Sequence, residues 1–144
     1  MKKILKVTLV ALIMLVLSGC TKKYDKLTYT TYNEYFNNKD GYTIIDKSSD
    51  YDIDIIRYIE AGDGNVQMIY IEFDTEDNAI NYVKDQYSDT PGYKLKLKDD
   101  YSYVKSTKDK YFKLYRVDNV VVSALTMDKK YKKNINSILK DLGY

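Results

Sequence analysis

Residues 53–73 read IDIIRYIEAGDGNVQMIYIEF, and this stretch decides the fold. Ile53, Ile55, Arg57 and Ile59, then Ile69, Ile71 and Phe73, alternate with other residues at period two, the spacing of a strand. Gly62-Asp63-Gly64-Asn65 between the two runs is a turn cluster, so the whole reads as a β-hairpin. Both faces of this hairpin are apolar. Ile56, Tyr58, Ile69, Ile71 and Phe73 are expected on one face. Ile53, Ile55, Ile59, Met68 and Tyr70 are expected on the other, around Arg57. Helices can cover one face. If the second stays open, Arg57, Ile59, Met68 and Tyr70 form a candidate interaction surface, an apolar patch with one cation. The alternative is that the tether, an N-terminal helix or a curled sheet covers it.

Outward from the hairpin, Asp74 can cap a helix running to about Tyr87, with the stripe Ala79, Ile80, Val83 and Tyr87 at helical spacing. Pro91-Gly92 breaks the chain. Strands follow over residues 93–127, with 112–117 and 120–127 joined by Asp118-Asn119, two residues that tolerate a positive φ. A last helix carries Tyr131, Ile135, Ile138, Leu139 and Leu142 on one face, with Asp128 as its cap. Before the hairpin, Thr31-Tyr32-Asn33-Glu34 reads as a capping box. It opens a short helix with Tyr35 and Phe36 inward, Gly41 as its stop, and a strand over residues 42–46. Gly41-Tyr42 recurs as Gly92-Tyr93, and Phe73-Asp74 as Met127-Asp128. The pattern is two αβββ units about 50 residues apart plus a closing helix, by duplication or by coincidence. The expected class is α+β: one domain over residues 27–144, an antiparallel sheet with helices packed on one side.

Composition narrows the chemistry. The chain has 17 Tyr, no Trp and no His, and only two of its 23 cationic side chains are arginine, Arg57 and Arg116. Tyr, Lys, Asn, Ile and Asp have AT-rich codons, which suggests a low-GC, Gram-positive source. A basic face for nucleic acid is not expected, because 23 cations are balanced by 21 acids.

Without His the commonest general base and metal ligand is missing. Ser102-Tyr103-Val104-Lys105 and Ser137-Ile138-Leu139-Lys140 match the S-x-x-K spacing of serine enzymes, but no S-D-N or K-T-G accompanies them. Asp50, Asp52 and Asp54 make half of a calcium loop. The loop needs Gly and Glu where Ile55 and Ala61 stand. Glu60 and Glu72 flank the hairpin and could pair for glycoside cleavage. No catalytic residue, cofactor or metal is assigned from these patterns.

The first 20 residues have a different character. Lys2, Lys3 and Lys6 precede an apolar run over residues 7–17, then Ser18, Gly19 and Cys20. This is the layout of a secretory signal, and a run of about eleven residues falls short of the roughly 20 that a spanning helix needs. Leu17-Ser18-Gly19-Cys20 resembles the lipobox of bacterial lipoproteins. That resemblance implies cleavage between Gly19 and Cys20 and a diacylglycerol on the Cys20 thiol. Cys20 is the only cysteine, so no internal disulfide competes for it. Two acyl chains hold a protein firmly to a bilayer where one does so marginally. The expected location is therefore the outer side of the cell membrane, with residues 20–26 as a short tether. The domain beyond it is expected to be a non-enzymatic module binding an envelope protein or cell-wall polymer. The alternatives are a carboxylate-dependent cell-wall hydrolase and a protective inhibitor or sensor.

Overall fold

A computed structural model describes residues 24–51, 53–87 and 101–144. The elements, in chain order, are helix α1 (Tyr29–Asn37), strands β1 (Thr43–Asp46), β2 (Ile55–Gly62) and β3 (Gln67–Phe73), helix α2 (Glu76–Tyr87), strands β4 (Tyr101–Ser106), β5 (Tyr111–Val117) and β6 (Val120–Thr126), and helix α3 (Lys132–Asp141). The strands form one antiparallel sheet in the order β1-β2-β3-β6-β5-β4. The α+β class and the αβββ-αβββ-α order are those predicted. Two three-stranded meanders meet through their last strands, β3 and β6. The Pro91-Gly92 break and the Gly92-Tyr93 echo of Gly41-Tyr42 lie outside the described residues.

The turns explain the two hairpins. Asp63 accepts the Asn65 and Val66 amides through Oδ1 at 2.8 and 2.7 Å. Gly64 then takes φ +84°, which a side chain would resist. Between β5 and β6 the chain turns through two residues, with Asp118 at φ +50° and Val117 opposite Val120. The first hairpin departs from the expected register in one place. Ile55 pairs with Phe73 but Arg57 with Glu72, so Ile56 is an extra residue, a bulge. The bulge returns Ile55 to the face of Tyr58 and pushes Ile56 outward, reversing the expected sides of these two isoleucines.

Helices cover both faces, not one side only. On the first face, α1 and α3 bury Ile59, Ala61, Met68, Tyr70, Tyr115, Val120, Val122 and Ala124 beneath Tyr32, Phe36, Ile135, Ile138 and Leu139. On the second, α2 lays Ala79 and Val83 over Tyr58, Ile71, Phe73, Leu114 and Val121. The cause is that the central strands β3 and β6 are apolar on both sides, so each side needs a cover. The strand order repeats between the two halves, but the helices do not, because α1 and α2 lie on opposite faces.

Helix α1 starts earlier than the capping box predicted. Thr28 is the cap and accepts the Thr31 amide at 3.2 Å, placing Thr31 inside the first turn. Tyr32 and Phe36 point into the core, with Tyr35 at its margin. Thr75, next to the expected Asp74, takes the Asn78 amide at the start of α2. Asp128 accepts the Lys130 amide and starts the 3-10 turn Lys129–Tyr131 that runs into α3.

The sheet has two distinct ends. The basal end holds the start of β2, the end of β3 and the Asp118-Asn119 turn. There the Asp74 amide donates to the Asp54 carbonyl at 3.0 Å and Asn119 bonds the Phe73 carbonyl. The far end holds the Gly64 turn, the start of β1 and the end of β6. The described chain enters over the basal half of the first face. Tyr24 packs edge-on against Tyr115 and tilted against Tyr144, with centroids 5.0 and 5.7 Å apart, and the Arg57 guanidinium lies over the Tyr29 ring, 4.9 Å from its centroid.

Candidate functional site

The candidate surface of Arg57, Ile59, Met68 and Tyr70 is not an open face. Ile59, Met68 and Tyr70 are buried under α1 and α3, and the N-terminal segment lies there as well. Sequence reasoning left that outcome open because the helix that would cover the face was itself unassigned to a side. Arg57 alone reaches solvent, with its side chain 40% exposed and its Nη1 2.5 Å from Glu72. The Tyr70 hydroxyl lies 3.4 Å from both Glu72 and the Leu27 carbonyl. Burial and the neighbouring Glu72 charge push that hydroxyl well above its ordinary pKa. The cluster ties the start of α1 to β2 and β3. A second tie lies deeper, where the Tyr32 hydroxyl donates to the Met68 carbonyl at 2.9 Å.

The other arginine gave no signal in the sequence. Arg116 is fully buried on the second face, where Nη1 donates to Glu76 and to the Asp118 carbonyl, both at 3.1 Å. It joins the start of α2 to the β5–β6 turn. A buried guanidinium with several acceptors is a structural device.

The candidate catalytic patterns are not assembled. Glu60 stands opposite Ile69 on the second face, whereas Glu72 stands opposite Arg57 on the first. The two carboxylates are separated by the sheet, and each has its own cation, with Lys47 2.9 Å from Glu60. Ser102 and Lys105 alternate on strand β4, and Ser137 and Lys140 lie exposed on α3. Asp50 and Asp54 are exposed, and Asp52 lies outside the described residues. Among the described residues no three His, Cys, Asp or Glu side chains are grouped to hold a metal.

What the structure does offer is an open cavity of about 530 Å³ at the far end. Helix α2 covers the basal part of the second face and leaves Glu60, Gln67 and Leu125 uncovered. Thr43 and Ile45 of β1 line one side, and Met127, Asp128 and Tyr131 line the other. Ile45 and Met127 are among the exposed apolar side chains of the domain. Among the described lining residues the charged groups are the carboxylates of Glu60 and Asp128, and none is cationic. Each carboxylate is paired with a lysine, Lys47 at 2.9 Å from Glu60 and Lys130 at 2.7 Å from Asp128, so the site combines an apolar floor with amides, hydroxyls and balanced charge, and suits a neutral polar group with an apolar part. Its walls come from segments distant in the chain, which is why no local pattern pointed to it.

Leu17, Ser18, Gly19 and Cys20 lie outside the described residues. Among the described residues no helix is long and apolar enough to cross a membrane. No protein-family model matches the chain, and neither a curated protein nor a solved structure is similar to it.

Proposed function

We propose that this protein is a lipid-anchored envelope lipoprotein, fixed through Cys20 to the outer face of the cytoplasmic membrane. The observation that carries the reading is Leu17-Ser18-Gly19-Cys20 directly after a charged start and an apolar run of lipoprotein-signal length. Support comes from the short connection that follows. Only residues 21–23 separate Cys20 from Tyr24, which already packs on the domain. Mass spectrometry of the membrane fraction tests the anchor. The expected species begins at Cys20 and carries a thioether-linked diacylglycerol, and Cys20→Ala leaves full-length precursor. Wild-type protein lacking any acyl group would end this reading.

The domain itself acts as a non-enzymatic binding module for an envelope protein or cell-wall polymer, and its binding site is the far-end cavity. The choice over the sheet face rests on burial: Ile59, Met68 and Tyr70 are not available to a partner, whereas Ile45, Gln67 and Met127 are. Thr43→Trp fills the mouth from an exposed edge strand without touching the core. Retention on purified cell-wall sacculi is expected to drop at least about tenfold, the equivalent of about 1.4 kcal/mol of binding. Unchanged retention would remove the cavity from consideration.

A further inference from the structure

Among the described residues the most exposed large apolar side chain is Ile53, 88% accessible, and it stands at the basal end. Tyr51 and Ile56 are exposed beside it. These positions are held, not loose. Tyr51 stacks on Tyr58 at 4.1 Å, the Asp54 carbonyl is bonded by the Asp74 amide, and the bulge at Ile56 turns that side chain out of the sheet. Three large apolar side chains exposed at one end of a charged domain need a reason, since isolated surface apolar residues are ordinary but grouped ones mark contacts.

The position of the chain's start supplies the reason. Residues 24–29 cross the basal half of the first face, from Tyr115 to Arg57. Four Cα-to-Cα steps, through residues 21–23, connect Cys20 to Tyr24, a reach of about 14 Å when fully extended. If Cys20 carries the lipid, which is the reading proposed above, the bilayer surface lies within that distance of the basal half.

We propose that Tyr51, Ile53 and Ile56 dock into the headgroup layer of the membrane, so that the domain stands basal end down and its cavity faces outward. Binding of this kind scales with buried apolar area and with charge attraction. Here apolar area does the work. In the sequence Asp50, Asp52 and Asp54 are interleaved with the docking residues and offset the attraction of Lys22, Lys23 and Lys26 for anionic lipid. The lipid anchor makes even a weak contact effective, because docking becomes an intramolecular step.

The test uses the full lipidated protein in vesicles of phosphatidylglycerol and phosphatidylethanolamine. An environment-sensitive fluorophore is placed at Ile53→Cys, Ile56→Cys or Val104→Cys, the last an exposed apolar position on the edge strand β4. Lipids with a quencher near the headgroup are expected to remove most emission from positions 53 and 56 and little from 104. If 53 and 56 escape quenching while the protein still floats with the vesicles, docking is overturned and the anchor stands. Equal quenching at all three positions overturns the orientation. Protein that neither floats nor carries an acyl group overturns the anchor, and the docking with it. All three substitutions are on exposed side chains, so the fold is preserved in each.

Discussion

The two faces of the sheet are built from the same kinds of residue but are finished differently. Among the described residues, nineteen buried side chains cluster on the first face and seven on the second. The first face carries two helices and an aromatic cluster in which Phe36 lies 4.8, 5.0 and 5.2 Å from the rings of Tyr32, Tyr35 and Tyr42, edge-on or tilted. The second carries one helix, a buried arginine and, beyond the helix, the open cavity. The difference teaches that apolar alternation on a strand specifies that a face must be covered but not how completely. Where the cover stops, an open cavity is left.

The comparison is broken most directly by truncating one phenylalanine on each face. Phe36→Ala is expected to cost about 3–5 kcal/mol, at the upper part of that range, because the surrounding rings are held by other contacts and cannot close the gap. Phe73→Ala should fall at the lower end. Phe73 sits at the basal edge, where Tyr82, 5.3 Å away, can move in. Urea unfolding of both variants measures the difference. An equal or larger loss for Phe73→Ala would mean that the second face is not the thinner half of the core.

The two arginines sharpen it next. Glu76→Gln weakens the support of a guanidinium that has no access to water, and a loss of about 1–3 kcal/mol is expected. Glu72→Gln does the same to Arg57, but that side chain is 40% exposed and water can replace the carboxylate, so the loss should stay below about 1 kcal/mol. Thermal denaturation of the pair decides. A larger effect at Glu72 would show that the clamp at the start of α1 matters more than the buried cation.

The tyrosines give a pH signature. Burial first, then a hydrogen bond and charge from Asp141, pushes Tyr35 up to about 12. Burial first, then the Asp63 charge, brings Tyr42 to about 12. Burial also raises Tyr32 and Tyr115 on the first face and Tyr58 and Tyr82 on the second. An unfolded tyrosine loses its proton near pH 10. Below that value the stability linked to these groups is fully present. As pH rises from about 10 through the folded values, the unfolded chain sheds protons that the native chain keeps, so stability falls. Tyrosinate absorbance and circular dichroism followed together should show a class of tyrosines that ionises well above 10 or only on unfolding. Complete ionisation near pH 10 with secondary structure intact would contradict the packing on both faces.

Much of this fold was legible because period-two alternation and turn residues act locally. The 53–73 hairpin, the Asp118-Asn119 turn and the stripe Ile135, Ile138, Leu139 and Leu142 all follow from neighbours in the chain. What failed depends on distance. Ile55 and Ile56 are both isoleucine, so a one-residue slip between them leaves the pattern unchanged and the bulge invisible. The side on which each helix packs is set by how both faces of β3 and β6 compete for cover. The one site that local spacing offers as a motif, at residues 17–20, lies outside the described residues. The cavity joins Ile45, Glu60, Gln67 and Met127 from three separate segments, and no local rule brings them together.

The smallest effect concerns the cover of the first face at its start. Thr28, Thr30 and Thr31 stand in close succession, and the Thr31-to-Glu34 spacing favours the wrong one. In the folded domain the Thr28 side chain accepts the Thr31 amide at 3.2 Å, and the two hydroxyls also lie 2.9 Å apart. Capping uses an extended backbone at the cap residue, and Thr28 has φ −89° and ψ 153°, while Thr31 is already helical. Thr28→Ala should therefore destabilise by about 1 kcal/mol. Thr31→Ala should change little, since it removes only an exposed hydroxyl and gains helix propensity. Because α1 covers only the first face, amide exchange should quicken in α1 and in the β3 amides beneath it, and stay unchanged in α2. If Thr31→Ala were the costlier change, the helix would begin three residues later than described, and Tyr29 would no longer be positioned over Arg57.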